Sequence, residues 1–477
     1  MTFFTAEITA MVNIYLLLIL LYAILIMSSY LVLAVLSFIE LKEYIKKNSF
    51  IDYEILLSSQ QAPYLSLIAP AYNEGLTIEE NVKSLLSLNY NNYEVIVVND
   101  GSKDNSMDML ISTYDLIKKD LDHETPITTK AIRGIYRSKN AAFKKLTVVD
   151  KENGGKADAL NVGLNIAKHP YAVCIDVDCI LDKDSLLKLA KPFLESIDKK
   201  VIATGGVVRI ANQCTIEDGR LIDVNVPNKL LPRIQVLEYL RAFLLGRMAW
   251  ERLDGLLLIS GAFGAFDREI AIKAGGYNTK TVGEDMELVV RMRRYMLERN
   301  IPYTVSYIPD PLCWTEAPDN AAIFKKQRSR WMRGTIETLW IHRKMFFNPK
   351  YKILGMISVP YWTFFEFLAP LIEFVGLLVT LIFVILGILN WKIFLLLFLF
   401  VYIFATMFSL LALLGEELTY HKYPRIKDFL KLFAAALIEP LYFHPLAVYA
   451  ALIGYWEKIK GKKTWGDMTR QGFQKKQ

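Results

Sequence analysis

From Met11 to Ile39 the chain carries no charged residue, and three further apolar segments, roughly Val359–Leu389, Ile393–Gly415 and Leu432–Trp456, lie near its other end. A hydrocarbon core of roughly 30 Å takes about 20 helical residues, so the first run is long enough to cross a bilayer. A cleaved signal peptide is the alternative. It is disfavoured because no basic residue precedes the run, the run exceeds an h-region, and no small-x-small site closes it. An uncleaved anchor is expected. The mean hydropathy of +0.26 and the 53% hydrophobic content agree with a chain too apolar to be wholly soluble.

Between the two apolar regions lie about three hundred residues of mixed composition, enough for one large α/β domain with its own core. The four cysteines, Cys174, Cys179, Cys214 and Cys313, have no metal-ligand spacing, and five histidines add none. Neither a structural zinc nor a disulfide framework is supported, which fits a reducing compartment. Of the net charge of +7, Lys42, Lys46 and Lys47 follow the first span while Glu7 precedes it. The positive-inside rule then puts the central domain in the cytoplasm. The basic excess reads as membrane orientation; no basic-aromatic interleave of the nucleic-acid-binding kind is present.

Tyr64–Ala71 and Tyr93–Val98 are short apolar runs, ended by Pro70 and by Asn99-Asp100-Gly101. Between them, Asn73-Glu74-Gly75 opens a helical pattern with Val82, Leu85 and Leu86 at three- and four-residue spacing. Further strands are expected at Leu146–Val149 and Ala172–Asp176, so the domain resembles a doubly wound sheet with ligands at the carboxyl ends of its strands. Ser112–Lys145 and Asn212–Pro232 are poorly patterned and read as surface excursions.

Asp176-Val177-Asp178 puts two carboxylates on a strand tip, where a divalent cation and phosphate oxygens are suited to meet. Asp100 could accept hydrogen bonds from a nucleobase or ribose; its plain alternative is a turn-forming Asp-Gly. Asn153-Gly154-Gly155-Lys156 is a flexible loop opening a helix, where backbone amides and Lys156 could meet a diphosphate, without Walker spacing. Gly283-Glu284-Asp285 precedes a helix; either acid could cap it or act as a base. Gln327-Arg328-Ser329-Arg330-Trp331 offers a basic-aromatic clamp, or an interfacial helix with Leu339, Trp340, Phe346 and Phe347.

Taken in order, Pro70-Ala-Tyr-Asn-Glu74, Asp100-Gly-Ser, Gly154–Asn161, Asp176-Val-Asp178, Ser260-Gly-Ala-Phe-Gly264, Gly283-Glu-Asp285 and Gln327–Trp331 resemble the membrane-integrated processive glycosyltransferases of family 2, the cellulose, hyaluronan and poly-N-acetylglucosamine synthases. The resemblance implies an α/β GT-A glycosyltransferase domain, a doubly wound mixed sheet, inserted between transmembrane α-helices. It also implies a UDP-sugar donor, Mg²⁺ or Mn²⁺, and inversion at the anomeric carbon. By matching position, Tyr72, Glu74 and Asp100 would hold uridine, Lys156 the diphosphate, and Asp178 with Asp176 the metal. Asp285, with Glu284 beside it, would be the base, and Gln327, Arg330 and Trp331 would bind pyrophosphate and acceptor sugar. Gly283 stands where many members carry Thr. Lys463–Arg470 resembles the Trp-…-Arg segment that closes over the nucleotide in hyaluronan-type synthases.

The expected organisation is an anchor over 1–44, a cytoplasmic GT-A domain over 45–324 and interfacial amphipathic helices with the clamp over 325–358. Transmembrane or re-entrant helices over 359–456 and a basic cytoplasmic tail over 457–477 complete it. The expected location is the inner (plasma) membrane, multi-pass. The expected activity is elongation of a β-linked polysaccharide from UDP-GlcNAc or UDP-Glc, coupled to translocation. The alternative is transfer of one sugar to a lipid-linked or glycolipid acceptor. Expected partners are the donor, the growing polysaccharide or lipid-linked acceptor, the bilayer and an accessory membrane subunit, with no nucleic acid. A catalytically dead receptor or scaffold would not need all of Asp100, Asp178 and Asp285, and a transporter leaves the α/β domain unexplained.

Tyr420–Lys431 and Lys458–Lys476 are both basic, so both ends of the last apolar segment belong on one side of the membrane. Glu439, Pro440, His444 and Pro445 inside it predict a broken, re-entrant or interfacial segment lining the polymer path.

Overall fold

The structure is a computed structural model that describes residues 2–462 apart from 76, 121–123 and 218. The Lys463–Arg470 segment lies outside the described residues.

The chain starts with a long helix, α1 (Thr2–Asn48), and then builds a ten-stranded mixed sheet. Its strands are β1 (Leu65–Ala71), β2 (Tyr93–Asn99), β3 (Leu116–Lys119), β4 (Ile132–Ser138), β5 (Leu146–Lys151), β6 (Tyr171–Ile175), β7 (Ile180–Leu181) and β8 (Lys200–Ile210). The hairpin β9 (Thr215–Glu217) and β10 (Arg220–Asp223) stands apart, and β11 (Phe263–Asp267) and β12 (Tyr303–Thr315) complete the main sheet. The order is β3-β4-β5-β2-β1-β6-β11-β8-β12-β7. Strands β5, β2, β1 and β6 run parallel, whereas β11 lies antiparallel between β6 and β8. Every residue of β2 is buried, as is every residue of β1 except Pro70. Continuous apolar runs of this kind form strands covered on both faces.

In-register pairing of Ala71 with Asn99 and of Ile68 with Cys174 brings the carboxyl ends of β1, β2 and β6 side by side. Tyr72–Glu74, Asp100 and Asp176–Asp178 therefore share one edge of the sheet. The excursions expected at Ser112–Lys145 and Asn212–Pro232 need correction. The first contains β3 and β4, which extend the sheet as antiparallel edge strands, and the second contains the β9–β10 hairpin. Both were illegible because their strands are only half-buried, so their polar positions hide the pattern.

The helices that frame the site are α2 (Lys156–Ile166), α3 (Leu230–Leu240), α4 (Glu284–Glu298) and α5 (Ala321–Ile341). Beyond them come α6 (Ala369–Ile385), α7 (Trp391–Thr419) and α8 (Ile426–Ile459). Among the described residues four helical segments are long and apolar enough to cross a membrane: Ile14–Asn48, Leu354–Ile385, Trp391–Thr419 and Ile426–Ile459.

Helix α8 corrects the expectation of a broken segment, since it runs unbroken through Pro440 and Pro445. Its polar groups are met by neighbours: Glu439 by Arg241 and by the Ser409 hydroxyl at 2.7 Å, and His444 by Glu373 at 2.7 Å. One of its ends rests on the central domain and the other on α5. Arg425, just before α8, pairs with Asp223 at 2.6 Å, and Lys431 donates to Asn228 at 3.0 Å. At the far end Lys458 pairs with Glu337 at 2.7 Å, and Glu457 accepts from the Ser329 hydroxyl at 3.1 Å.

Candidate active site

The site begins at Asp100, buried at the end of β2. Its carboxylate accepts from Lys151 Nζ at 2.5 Å, from the Gly154 amide at 2.9 Å and from the Gly155 amide at 2.7 Å. A carboxylate has about four acceptor positions, so about one is left for a ligand. Lys151 is wholly buried and also pairs with Asp158 at 2.7 Å. Gly154 packs so tightly that a Cβ there would lie 2.4 Å from Asp158 Oδ2, and Gly155 takes φ +87° as it starts α2. Three charged groups thus fold the glycine loop and aim the first residue of α2, Lys156, along the sheet edge.

The β1 loop is tied to the same wall. Asn73 N–H donates to Ser102 Oγ at 2.9 Å, Glu74 N–H to Ser106 Oγ at 3.0 Å, and Gly75 N–H to Asp104 Oδ2 at 2.9 Å. Asn73 adopts φ +55°, a left-handed conformation that asparagine tolerates and that turns the loop over the Asp100 segment. Tyr72 stays 41% exposed on its rim.

Lys156 pairs with Asp176 and lies 3.8 Å from Glu284. Burial alone would lower its pKa, but Asp176, Glu284 and Asp285 together hold it above the usual lysine value. Gly261 passes between the partners: a Cβ there would lie 3.0 Å from Asp285 Oδ2 and 3.3 Å from Lys156 Nζ. Its amide donates to Asp285 at 2.9 Å. Asp285, half-buried in the first turn of α4, also accepts from the Met286 amide at 2.8 Å. The helix itself is capped by Gly283, with no side-chain capping bond. Burial, with Asp285 beside it, pushes Glu284 up to about 7 against the opposing pull of Lys156 and Arg330.

Helix α5 closes the cluster. Gln327, Arg330 and Trp331 share one face at helical spacing. Burial lowers Arg330, while Glu284, Asp176 and Asp285 oppose the shift, so its guanidinium belongs to the same charged group. Trp331 is 40% exposed. Arg328, for which no role was expected, forks onto Glu238 at 2.5 and 2.6 Å and stacks its guanidinium 4.2 Å over the Trp331 ring. Lys151, Asp158, Glu238 and Arg328 were all missed as functional supports. Only Lys151 left a signal, as the middle of three adjacent charges, Asp150-Lys151-Glu152, that close an apolar strand.

Among the described residues no set of three or more His, Cys, Asp or Glu side chains could hold a metal unaided. Asp176 and Asp178, two hard oxygen donors on one turn, suit a cation that takes its remaining ligands from phosphate and water.

The family described as Glycosyl transferase family 2 matches residues 66–212, and that described as Glycosyl transferase family group 2 matches 171–410, half of the chain. The chain is a family 2 glycosyltransferase. Its sheet, with the strand-tip carboxylates at one edge, is the GT-A arrangement. This glycosyltransferase is 29% identical over 299 residues to a poly-β-1,6-N-acetyl-D-glucosamine synthase of Staphylococcus epidermidis, covering 62% of this chain and 60% of the relative. It is also 29% identical over 277 residues to the synthase of the same name from Staphylococcus aureus strain COL, covering 58% of this chain and 55% of the relative. The chain thus spans about 60% of the length of the curated relatives it matches. A mannosyltransferase from Pyrobaculum calidifontis, solved with GDP-Man and Mn²⁺, aligns with a TM-score of 0.49 and 18% identity over 87% of this chain and 99% of its own.

Proposed function

We propose that this glycosyltransferase elongates a β-linked polysaccharide from a UDP-sugar, UDP-GlcNAc or UDP-Glc, at the cytoplasmic face of the inner membrane. The observation that carries the reading is the convergence of Lys156, Asp176, Glu284, Asp285 and Arg330 around Gly261, under a helix that presents an exposed Trp331.

Tyr72, Glu74 and the remaining acceptor position of Asp100 hold the uridine. Lys156 exchanges Asp176 for the donor's diphosphate, joined by Gln327 and Arg330. Trp331 provides a flat face for the acceptor sugar. Asp285 takes the proton of the acceptor hydroxyl as that oxygen attacks the anomeric carbon from the side opposite the diphosphate. The new glycosidic bond forms as the bond to the phosphate oxygen breaks, UDP leaves, and the configuration inverts. Asp178 and Asp176 would hold a divalent cation, Mg²⁺ or Mn²⁺, which when bound would neutralise charge on the departing diphosphate.

Ion pairs beside the apolar helices, Arg241 with Glu439 and Glu373 with His444, support the reading of a polar path for sugar next to the membrane helices. That placement supports the reading that synthesis is coupled to translocation, with or without an accessory membrane subunit. The test is to incubate the membrane-purified protein with a panel of radiolabelled UDP-sugars and size the product. A long polymer from one donor is expected; a product carrying a single added sugar on lipid would replace this reading with lipid glycosylation.

A further inference from the structure

One carboxylate, Glu337 on α5, holds two separate parts of the molecule with its two oxygens. Oε2 accepts from the Thr281 hydroxyl at 2.7 Å and from the Val282 amide at 3.0 Å. Oε1 receives Lys458, in the last turn of α8, at 2.7 Å. The Thr281 hydroxyl in turn accepts from the Gly283 amide at 3.1 Å. Gly283 is the cap residue of α4, and Glu284 and Asp285 are the first two residues of that helix.

A continuous series of hydrogen bonds therefore runs from Lys458 through Glu337 and Thr281 to the backbone on which Asp285 hangs. Thr281 is 6% exposed and Glu337 is largely covered, so water competes weakly for these bonds.

We infer that Glu337 is a positioning residue for the transfer reaction: it fixes the entry of α4, and so the Asp285 carboxylate, with respect to α5 and the end of α8. The inference rests on the reading of Asp285 as the base. It assigns α8 a role beyond contact with the membrane. Helix α8 carries, in its last turn, Lys458, which pairs with the carboxylate holding the base-bearing loop. Displacement of the α8 end would be felt at Asp285, four residues after Thr281 and two after Gly283, and small displacements of a reacting group are costly, roughly a hundredfold in rate per ångström in unfavourable cases.

The test uses the full chain in lipid nanodiscs, with UDP binding measured by calorimetry and turnover of UDP-GlcNAc or UDP-Glc by UDP release. Glu337→Gln should lower kcat by roughly ten- to a hundredfold while KM for the donor and the affinity for UDP stay within about twofold. Glu337→Asp should recover part of the loss. Lys458→Met should show the same split with a smaller fall in kcat, since it leaves the Thr281 and Val282 bonds in place. Wild-type kcat in Glu337→Gln, or a loss of UDP binding in step with turnover, overturns the proposal. If Glu337→Gln does not accumulate, Lys458→Met decides alone, and wild-type turnover in it is the overturning result. Asp285→Asn is run alongside. If that variant is inactive while Glu337→Gln is normal, only this inference fails; if Asp285→Asn turns over normally, the assignment of the base fails.

Discussion

Gly283 and Gly334 meet backbone to backbone: a Cβ built on either would lie 2.7 Å from the Cα of the other. The contact presses the middle of α5 onto the residue that opens α4, and it accounts for glycine at 283, where many synthases of this kind carry threonine. Gly334→Ala forces the two apart. Overpacking of this type costs about 1–3 kcal/mol, so the variant should lose thermal stability and turnover together, measured by melting of the purified protein and by UDP release. An alanine variant as stable and active as the parent would mean that α5 shifts freely.

Asp285→Asn keeps the shape of the side chain and one of its two bonds from backbone amides but cannot take a proton. The variant should bind UDP-sugar normally and turn over about 10²–10⁴ times more slowly, seen in single-turnover rates. Lost binding with a normal single-turnover rate would make Asp285 a structural element of α4.

Asp178→Asn should abolish transfer and remove the dependence of UDP affinity on Mg²⁺ or Mn²⁺. Calorimetric titration of UDP with and without the cation reads this directly. Normal activity in either metal would place the cation elsewhere.

Glu284 sits 3.8 Å from Lys156 with its pKa pushed up to about 7, chiefly by burial. Ionisation above that pH adds a negative charge beside the lysine that should meet the diphosphate. Donor affinity should therefore fall roughly three- to tenfold as pH rises through about 7. A UDP-sugar is the right probe because its diphosphate has no further proton to lose in this range. The same group affects folding with a definite sign. Its folded pKa is raised, so its contribution to stability is full below the ordinary carboxylate pKa and lost as pH rises through about 7. Glu284→Gln should flatten both dependences, measured by affinity and by melting temperature from pH 5.5 to 8.5; an unchanged slope in the variant assigns the titration to another group.

One end of α8 is bonded to the central domain through Asp223 and the other to α5, which packs on that domain, through Glu337. Cysteines introduced at His421 and at Lys460 should therefore be modified from the same face of sealed vesicles as a cysteine at Lys118. Modification of the Lys460 position from the opposite face alone would show that α8 crosses the membrane.

Much of the central domain was legible from local pattern. Strands β1, β2 and β6 are apolar because both of their faces are covered, and a residue run of that kind identifies itself without knowledge of its neighbours. The apolar helical stretches and the order of the motifs were equally plain, since each motif is a few adjacent residues. Strand β12 was not. It contains Pro309 and Pro311, and its register with β8 shifts between Ile308 and Pro311, so the irregularity is absorbed by pairing that no local pattern reveals. The continuity of α8 through two prolines was hidden for the same kind of reason. The charge of Glu439 is satisfied by Arg241 and Ser409, groups on other elements.

The sequence by itself determined which residues can bind phosphate, hold a cation, take a proton or sit beside a membrane, because those capacities are properties of side chains. The tertiary structure alone decided which of them act together. Lys156, Asp176, Gly261, Asp285 and Arg330 come from distant parts of the chain and converge because β11 is inserted next to β6 and because α5 lies across the start of α4. The parts played by Lys151, Arg328 and Glu337 belong to the same category. Hydrogen bonds and ion pairs reach only a few ångströms, and only the folded backbone brings such groups within that range.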